Sequence, residues 1–140
     1  MIILDTNVIS ELMRVEPDAR VMAWIAEQPM AGLFTTTLTQ AEIFYGLALL
    51  PEGRRRDDLI AAAQPMFDVD FAGRVLPFDT DAALAYSDIS AARKRAGQPI
   101  SQIDAQIAAI VSSRGARLAT RNVRDFTDCG INVENPWGEV

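Results

Sequence analysis

The chain contains no histidine and one cysteine, Cys129. Serine–histidine triads, histidine acid–base pairs, histidine metal sites and Cys-rich zinc sites are therefore excluded, and no internal disulfide can form. Lysine occurs once, at Lys94, so all but one of the 13 cations are arginine, a residue suited to bidentate phosphate contacts. The longest apolar stretch, residues 43–50, is far too short to cross a bilayer, and the first residues lack the basic segment that opens a secretory signal. The expectation is a cytoplasmic protein with no membrane partner. What is present suffices for a core: 140 residues, 49% apolar and 23% charged, which argues against disorder. Any chemistry must come from carboxylates, hydroxyls, amides and arginine.

The net charge of −6 argues against a general nucleic-acid coat, yet it averages two unlike parts. Between residues 93 and 124 the only acid is Asp104, against Arg93, Lys94, Arg95, Arg114, Arg117, Arg121 and Arg124. The acids lie mostly elsewhere. Solvated surface accounts for many arginines in any protein, so only their position relative to other signals makes them informative.

Short apolar runs alternate with helical patterns. Strands are expected at 2–4, 33–36, 74–78 and 117–120, with an edge strand at 131–133. Helices are expected after Asp5, over 18–27, from Thr39 to Pro51, and over 53–67, 79–95 and 101–114, with Gly115 as the last stop signal. This alternation predicts a three-layer α/β/α sandwich around a mainly parallel sheet, as one domain over 1–140. In such sheets the ligand crevice lies beyond the carboxyl ends of the strands, where Asp5 and Asn122 fall.

Three acids stand where charge is scarce. Asp5 is the only charged side chain in residues 1–10, Glu42 the only one in 28–51, and Asp104 the only one in 96–113. Acids on solvated faces normally have charged company, and an isolated buried carboxylate must find partners or take up a proton. A plainer explanation exists for each. Thr39-x-x-Glu42 and Ser101-x-x-Asp104 have capping-box spacing, and Asp5 fits a simple turn. Convergence of the three at one sheet edge would instead create strong repulsion unless a cation joined them. With oxygen donors alone, Mg²⁺ or Mn²⁺ is the matching ion.

Beyond the 117–120 strand, Asn122 offers an amide oxygen and Asp125 a fourth carboxylate, with Arg121 and Arg124 placed to counter phosphate charge. An Asx turn with a solvated Asp125 is the structural alternative. Together the acids and arginines suggest phosphodiester hydrolysis. Thr6 and Asn7 are candidates to orient substrate or water, or to open a helix.

These residues resemble a known family. Ile3-Leu-Asp5-Thr-Asn7, Thr39-Gln-Ala-Glu42-Ile43, Asp104-Ala-Gln-Ile107-Ala108 and Ala119-Thr-Arg-Asn122-Val-Arg-Asp125-Phe126 look like the ordered motifs of PIN-domain nucleases, more closely the toxin ribonucleases of VapBC-type modules, including the FitB-like branch. The resemblance implies a metal-dependent ribonuclease, a homodimer, and inhibition by a small antitoxin, with DNA reached only through that antitoxin. It implies that Asp5, Glu42 and Asp104 are the acidic metal positions. Where many members carry aspartate this chain has Asn122, which leaves the fourth position open between Asn122 and Asp125. The expected mechanism is attack of a metal-activated water on RNA, with no protein nucleophile. Trp24, Phe44, Tyr45 and Leu49 are candidates for an apolar antitoxin groove.

Two other classes fit parts of the pattern. An acid after the first strand also begins aspartate-dependent phosphotransferases. One such type wants a second aspartate at position 7, which is Asn7, and another a late lysine, for which only Lys94 is available. A catalytically inactive PIN-like module that binds an antitoxin or operator complex would retain the fold without needing the acid trio.

Overall fold

A computed structural model describes residues 1–138. Five strands, β1 (Ile2–Leu4), β2 (Leu33–Thr36), β3 (Val75–Leu76), β4 (Arg117–Ala119) and β5 (Asn132–Glu134), form one parallel sheet in the order β3-β2-β1-β4-β5. Six α-helices connect or flank them: α1 (Thr6–Leu12), α2 (Ala19–Ala26), α3 (Thr37–Ala48), α4 (Arg54–Pro65), α5 (Thr80–Arg95) and α6 (Gln102–Ser113). The expected α/β sandwich with a parallel sheet is the architecture observed.

Strand alternation sorts the core into two layers. Ile2, Leu4, Leu33 and Ala119 pack with residues of α1 to α4, while Ile3, Leu76 and Leu118 pack with α5 and α6. Both faces of the sheet are thus covered, which is why its short strands are apolar on both sides. β1 and β4 pair directly, Ile3 opposite Leu118, although more than a hundred residues separate them. From β1 the chain builds outward through β2 and β3, then returns to the other side for β4 and β5. The junction of β1 and β4 is therefore the switch point where a parallel sheet opens a crevice.

Among the boundaries that differ from the periodicity reading, three have a clear local reason. α3 starts at Thr37, not Thr39, because Thr36 ends β2 and caps the helix, its hydroxyl accepting the Thr39 amide at 3.1 Å. β3 is only two residues long, since Pro77 cannot donate to the ladder. The helix expected to reach residue 67 stays α-helical through Pro65. It then widens into a π-turn over Met66–Asp70, closed by the Phe71 amide on the Met66 carbonyl at 2.9 Å, which carries Phe67 into the core beside Phe44.

Candidate active site

Asp5 is the first residue beyond β1, and its amide still bonds the Ala119 carbonyl across the β1–β4 junction at 2.9 Å. Its side chain caps α1, Oδ1 accepting the Thr6 amide at 2.8 Å. The turn role and the acidic-site role therefore coexist in one residue: Oδ2 accepts the Thr120 hydroxyl at 2.8 Å and lies 3.5 Å from Asn7 Nδ2. Asp5 is 5% exposed. Burial raises its carboxyl from 3.8 to about 6; the bonds from Thr120 and Thr6 oppose the rise, and the charges of Asp104 and Glu42 add to it.

Glu42 reaches the same place from α3. Its Oε1 accepts the Thr6 hydroxyl at 2.6 Å, and Thr6 Oγ1 is 3.1 Å from the buried Thr39 Oγ1. Thr6 thus serves two acids, donating its amide to Asp5 and its hydroxyl to Glu42. The capping-box explanation of Glu42 does not hold, because α3 begins two residues earlier than expected and Glu42 lies in its second turn. For Asp104 half of that explanation stands. Ser101 caps α6 and accepts the Asp104 amide at 3.2 Å. The Asp104 carboxyl is nonetheless half-buried and raised, first by burial and then by the charges of Asp125 and Glu42, with the Ser101 hydroxyl and the Arg93 charge opposing.

The topology explains the meeting. Helices that connect parallel strands run back against them, so the starts of α1, α3 and α6 all lie at the carboxyl edge of the sheet. Asp5, Glu42 and Asp104 fall within electrostatic reach of one another there, and Asp125 within reach of Asp104. Their donors are hard oxygens. Among the described residues, no three acidic or thiol side chains form a ready-made metal cage. Hard oxygen donors of this kind are the ones that Mg²⁺ and Mn²⁺ take where they bind.

The Asn122–Asp125 segment is a turn, but not an Asx turn: the Asp125 amide bonds the Asn122 carbonyl at 3.0 Å and the Asn122 side chain caps nothing. Asn122 is exposed, and its amide bonds Thr120 Oγ1 at 3.1 Å; Asp125 is exposed on the 3-10 turn Val123–Phe126. Asn7 Nδ2 donates to Thr120 Oγ1 at 3.1 Å and its Oδ1 accepts the Arg121 amide at 3.1 Å, so Thr6 and Asn7 both spend polar atoms on building the site. The Arg121 guanidinium lies 5.0 Å from the ring centre of buried Trp137, and Arg124 is exposed on the turn.

Sequence reasoning missed Thr120, Thr39, Arg93 and Trp137. Thr120 read as an ordinary strand residue and Thr39 as a helix cap, and a fully buried hydroxyl beside a lone acid is visible only once the chain is folded.

A cleft of about 1030 Å³ opens from the site. Thr6 and Glu42 form its inner end, Met13, Ile43, Leu47 and Leu59 line its wall, and Arg14, Arg54 and Arg55 stand at its rim. None of the four expected groove residues lines it. Trp24 and Phe44 pack against the core, while Tyr45 and Leu49 are exposed, because α3 turns Ile43 and Leu47 toward the cleft instead.

Fold and site together define a parallel α/β protein with an acidic, hydroxyl-buttressed crevice at its switch point and arginines at the mouth. The PIN domain family matches residues 2–130, and the chain belongs to that family. It is similar to VapC ribonuclease Y4jK of Sinorhizobium fredii, 43% identical over 137 residues and covering 98% of each chain. Toxin FitB of Neisseria gonorrhoeae is 37% identical over 137 residues, covering 98% of this chain and 99% of that protein. Among solved structures, FitAB bound to an IR36 DNA fragment superposes with a TM-score of 0.92 at 36% identity, covering 100% of this chain and 98% of that one.

Proposed function

We propose that this protein is the endoribonuclease toxin of a toxin–antitoxin module and hydrolyses RNA phosphodiester bonds with the help of Mg²⁺ or Mn²⁺. The observation that carries the reading is the convergence at the β1–β4 crevice of acids that are isolated along the chain, with Asp5 buried among the charges of the others. Relatives named as a VapC ribonuclease and as toxin FitB support it.

A divalent ion, when bound, supplies a more acidic attacking water and offsets charge on the scissile phosphate. Asp5 and Asp104 would hold it, with Glu42 assisting directly or through water. Thr6 and Thr120 keep Asp5 and Glu42 aimed into the crevice by the bonds described above. Asn122 and Asp125 fill the remaining side of the site, and Arg121 and Arg124 hold RNA phosphates, Arg121 steadied against Trp137. No side-chain nucleophile is required.

The same reading includes a homodimer in the cytoplasm and a small antitoxin that reaches DNA on the toxin's behalf, since a chain of net charge −6 is poorly suited to bind DNA itself. The aliphatic wall and arginine rim of the cleft match an antitoxin segment with an apolar anchor and acidic neighbours.

The test is RNA cleavage by highly purified protein with Mg²⁺ or Mn²⁺, with EDTA, and with Asp5→Asn. Cleavage that needs the ion and Asp5 is expected. Equal cleavage in EDTA or by Asp5→Asn, or none by the wild type freed of antitoxin across varied RNAs, overturns the reading.

A further inference from the structure

The structure assigns Arg93 a positioning role: we infer that its buried guanidinium, reaching across from α5, holds the turn that presents Asp125 to the acidic crevice. The inference rests on the function proposed above and deepens it. Arg93 is 7% exposed, whereas its neighbours Lys94 and Arg95 are solvated. A cation withdrawn from water needs strong compensation. Here it comes mainly from main-chain oxygens of two separate segments. Nε donates to the Gln98 carbonyl at 2.7 Å, and one terminal nitrogen donates to the carbonyls of Asp125 at 3.1 Å and Thr127 at 2.7 Å, and meets Cys129 Sγ at 3.4 Å.

The turn depends on such ties. It spans only Val123–Phe126, and every residue of it but Phe126 is exposed, so main-chain bonds such as these fix its position. Fixing the Asp125 carbonyl sets where its exposed carboxylate stands, and the charge of that carboxylate is felt by Asp104. The Arg93 charge is felt there as well, with opposite sign. A lysine would keep that charge, but its single ammonium lacks the planar fork that spans Gln98 on one side and Asp125 and Thr127 on the other.

The experiment is a double-mutant cycle on Mn²⁺ affinity, read by electron paramagnetic resonance of the free ion, with RNA cleavage in parallel. Arg93→Met is expected to weaken Mn²⁺ binding about 10- to 100-fold, the usual effect of losing a residue that supports a metal site from outside its ligands. Asp125→Asn should cost a similar factor, and the double variant should be no worse than Asp125→Asn alone. Arg93→Lys should fall between wild type and Arg93→Met, and completes the cycle if Arg93→Met does not fold. Ile89→Ala, a buried apolar residue of the same helix that makes none of Arg93's hydrogen bonds to the turn, should lower the melting temperature while leaving Mn²⁺ affinity at the wild-type value.

Multiplying losses in the double variant, wild-type affinity in Arg93→Met, or an equal loss in Ile89→Ala overturns the positioning role. So does an innocent Asp125→Asn. If Asp125→Asn is innocent while Asp5→Asn is inactive, the inference fails and the proposed function stands. If Asp5→Asn is also fully active, the function itself fails.

Discussion

Asp5 carries an acid, a helix cap and a packing role at once, and burial leaves its carboxyl near 6 instead of 3.8. The folded protein therefore binds a proton more readily than the unfolded chain between those values, so stability without metal falls as pH rises through that window and stays lower above it. The shift corresponds to on the order of 3 kcal/mol. Urea unfolding in EDTA should show Asp5→Asn gaining stability relative to wild type at pH 7.5 but not at pH 4; an equal difference at both would contradict the burial cost. Added Mg²⁺ should stabilise the wild type at pH 7.5 and not the variant, because only an ionised Asp5 gains a partner. At the same scale, Thr6→Val removes the hydroxyl that holds Glu42 while sparing the amide that holds Asp5. Cleavage is expected to drop at least 10-fold with a change in melting temperature of only a few degrees, and Thr6→Ser should retain most activity. A hydrogen bond to a charged group, worth about 1.5–3 kcal/mol, sets that scale.

At the scale of elements, the site depends on where helices begin. β2 passes into α3 without a loop, so Thr36 is both the last strand residue and the cap. Its hydroxyl is fully buried and bonds the Thr39 amide, within the turn that backs Thr6 and Glu42. Thr36→Ala should cost about 1 kcal/mol, and Thr36→Ser much less. Hydrogen exchange should quicken at the first amides of α3 more than at β1. Exchange rising uniformly over the sheet would mean that Thr36 acts through general packing and not through the cap. Pro65 has a comparable effect on α4: it ends the regular ladder and lets the π-turn seat Phe67 against Phe44, on the wall of the α1–α4 layer.

For the whole molecule, the relevant quantity is how charge is distributed about the crevice. Acids lie at the crevice, and under the proposed function Arg121 and Arg124 meet the RNA phosphates. Changing both arginines to Gln should weaken RNA binding and reduce the slope of log affinity against log salt by about 1.4, since two fewer counterions are released from a single strand. Asp104→Asn should instead abolish cleavage and leave RNA binding equal or tighter, because a repulsive charge leaves with the proposed metal ligand. A salt slope unchanged by the arginine pair, or an Asp104→Asn protein cutting at the wild-type rate, would refute this division of labour.

Much of this was legible along the chain because burial writes itself into local composition. Lone acids at 5, 42 and 104, each in an apolar stretch, marked the site. Short apolar runs alternating with helical patterns marked a parallel α/β sheet, since strands covered on both faces must be apolar throughout and crossovers must be helical. Local pattern also determined which chemistries were impossible, histidine being absent. What it did not contain was anything that depends on partners distant in sequence. The Thr120 hydroxyl meets Asp5 from 115 positions away, and Thr6 meets Glu42 from 36. A threonine before such a meeting has the same signature as any strand residue. Arg93 read as one more surface cation because its neighbours are, and only the approach of the 125–129 segment made it a buried one. Likewise the apolar wall of the cleft was not visible in the sequence, because the packing of α3 against α1 and α4 turned Ile43 and Leu47 toward it and left Tyr45 and Leu49 exposed. Residue type and spacing determine what a side chain can do; long-range closure of the β1–β4 junction decided which side chains do it together.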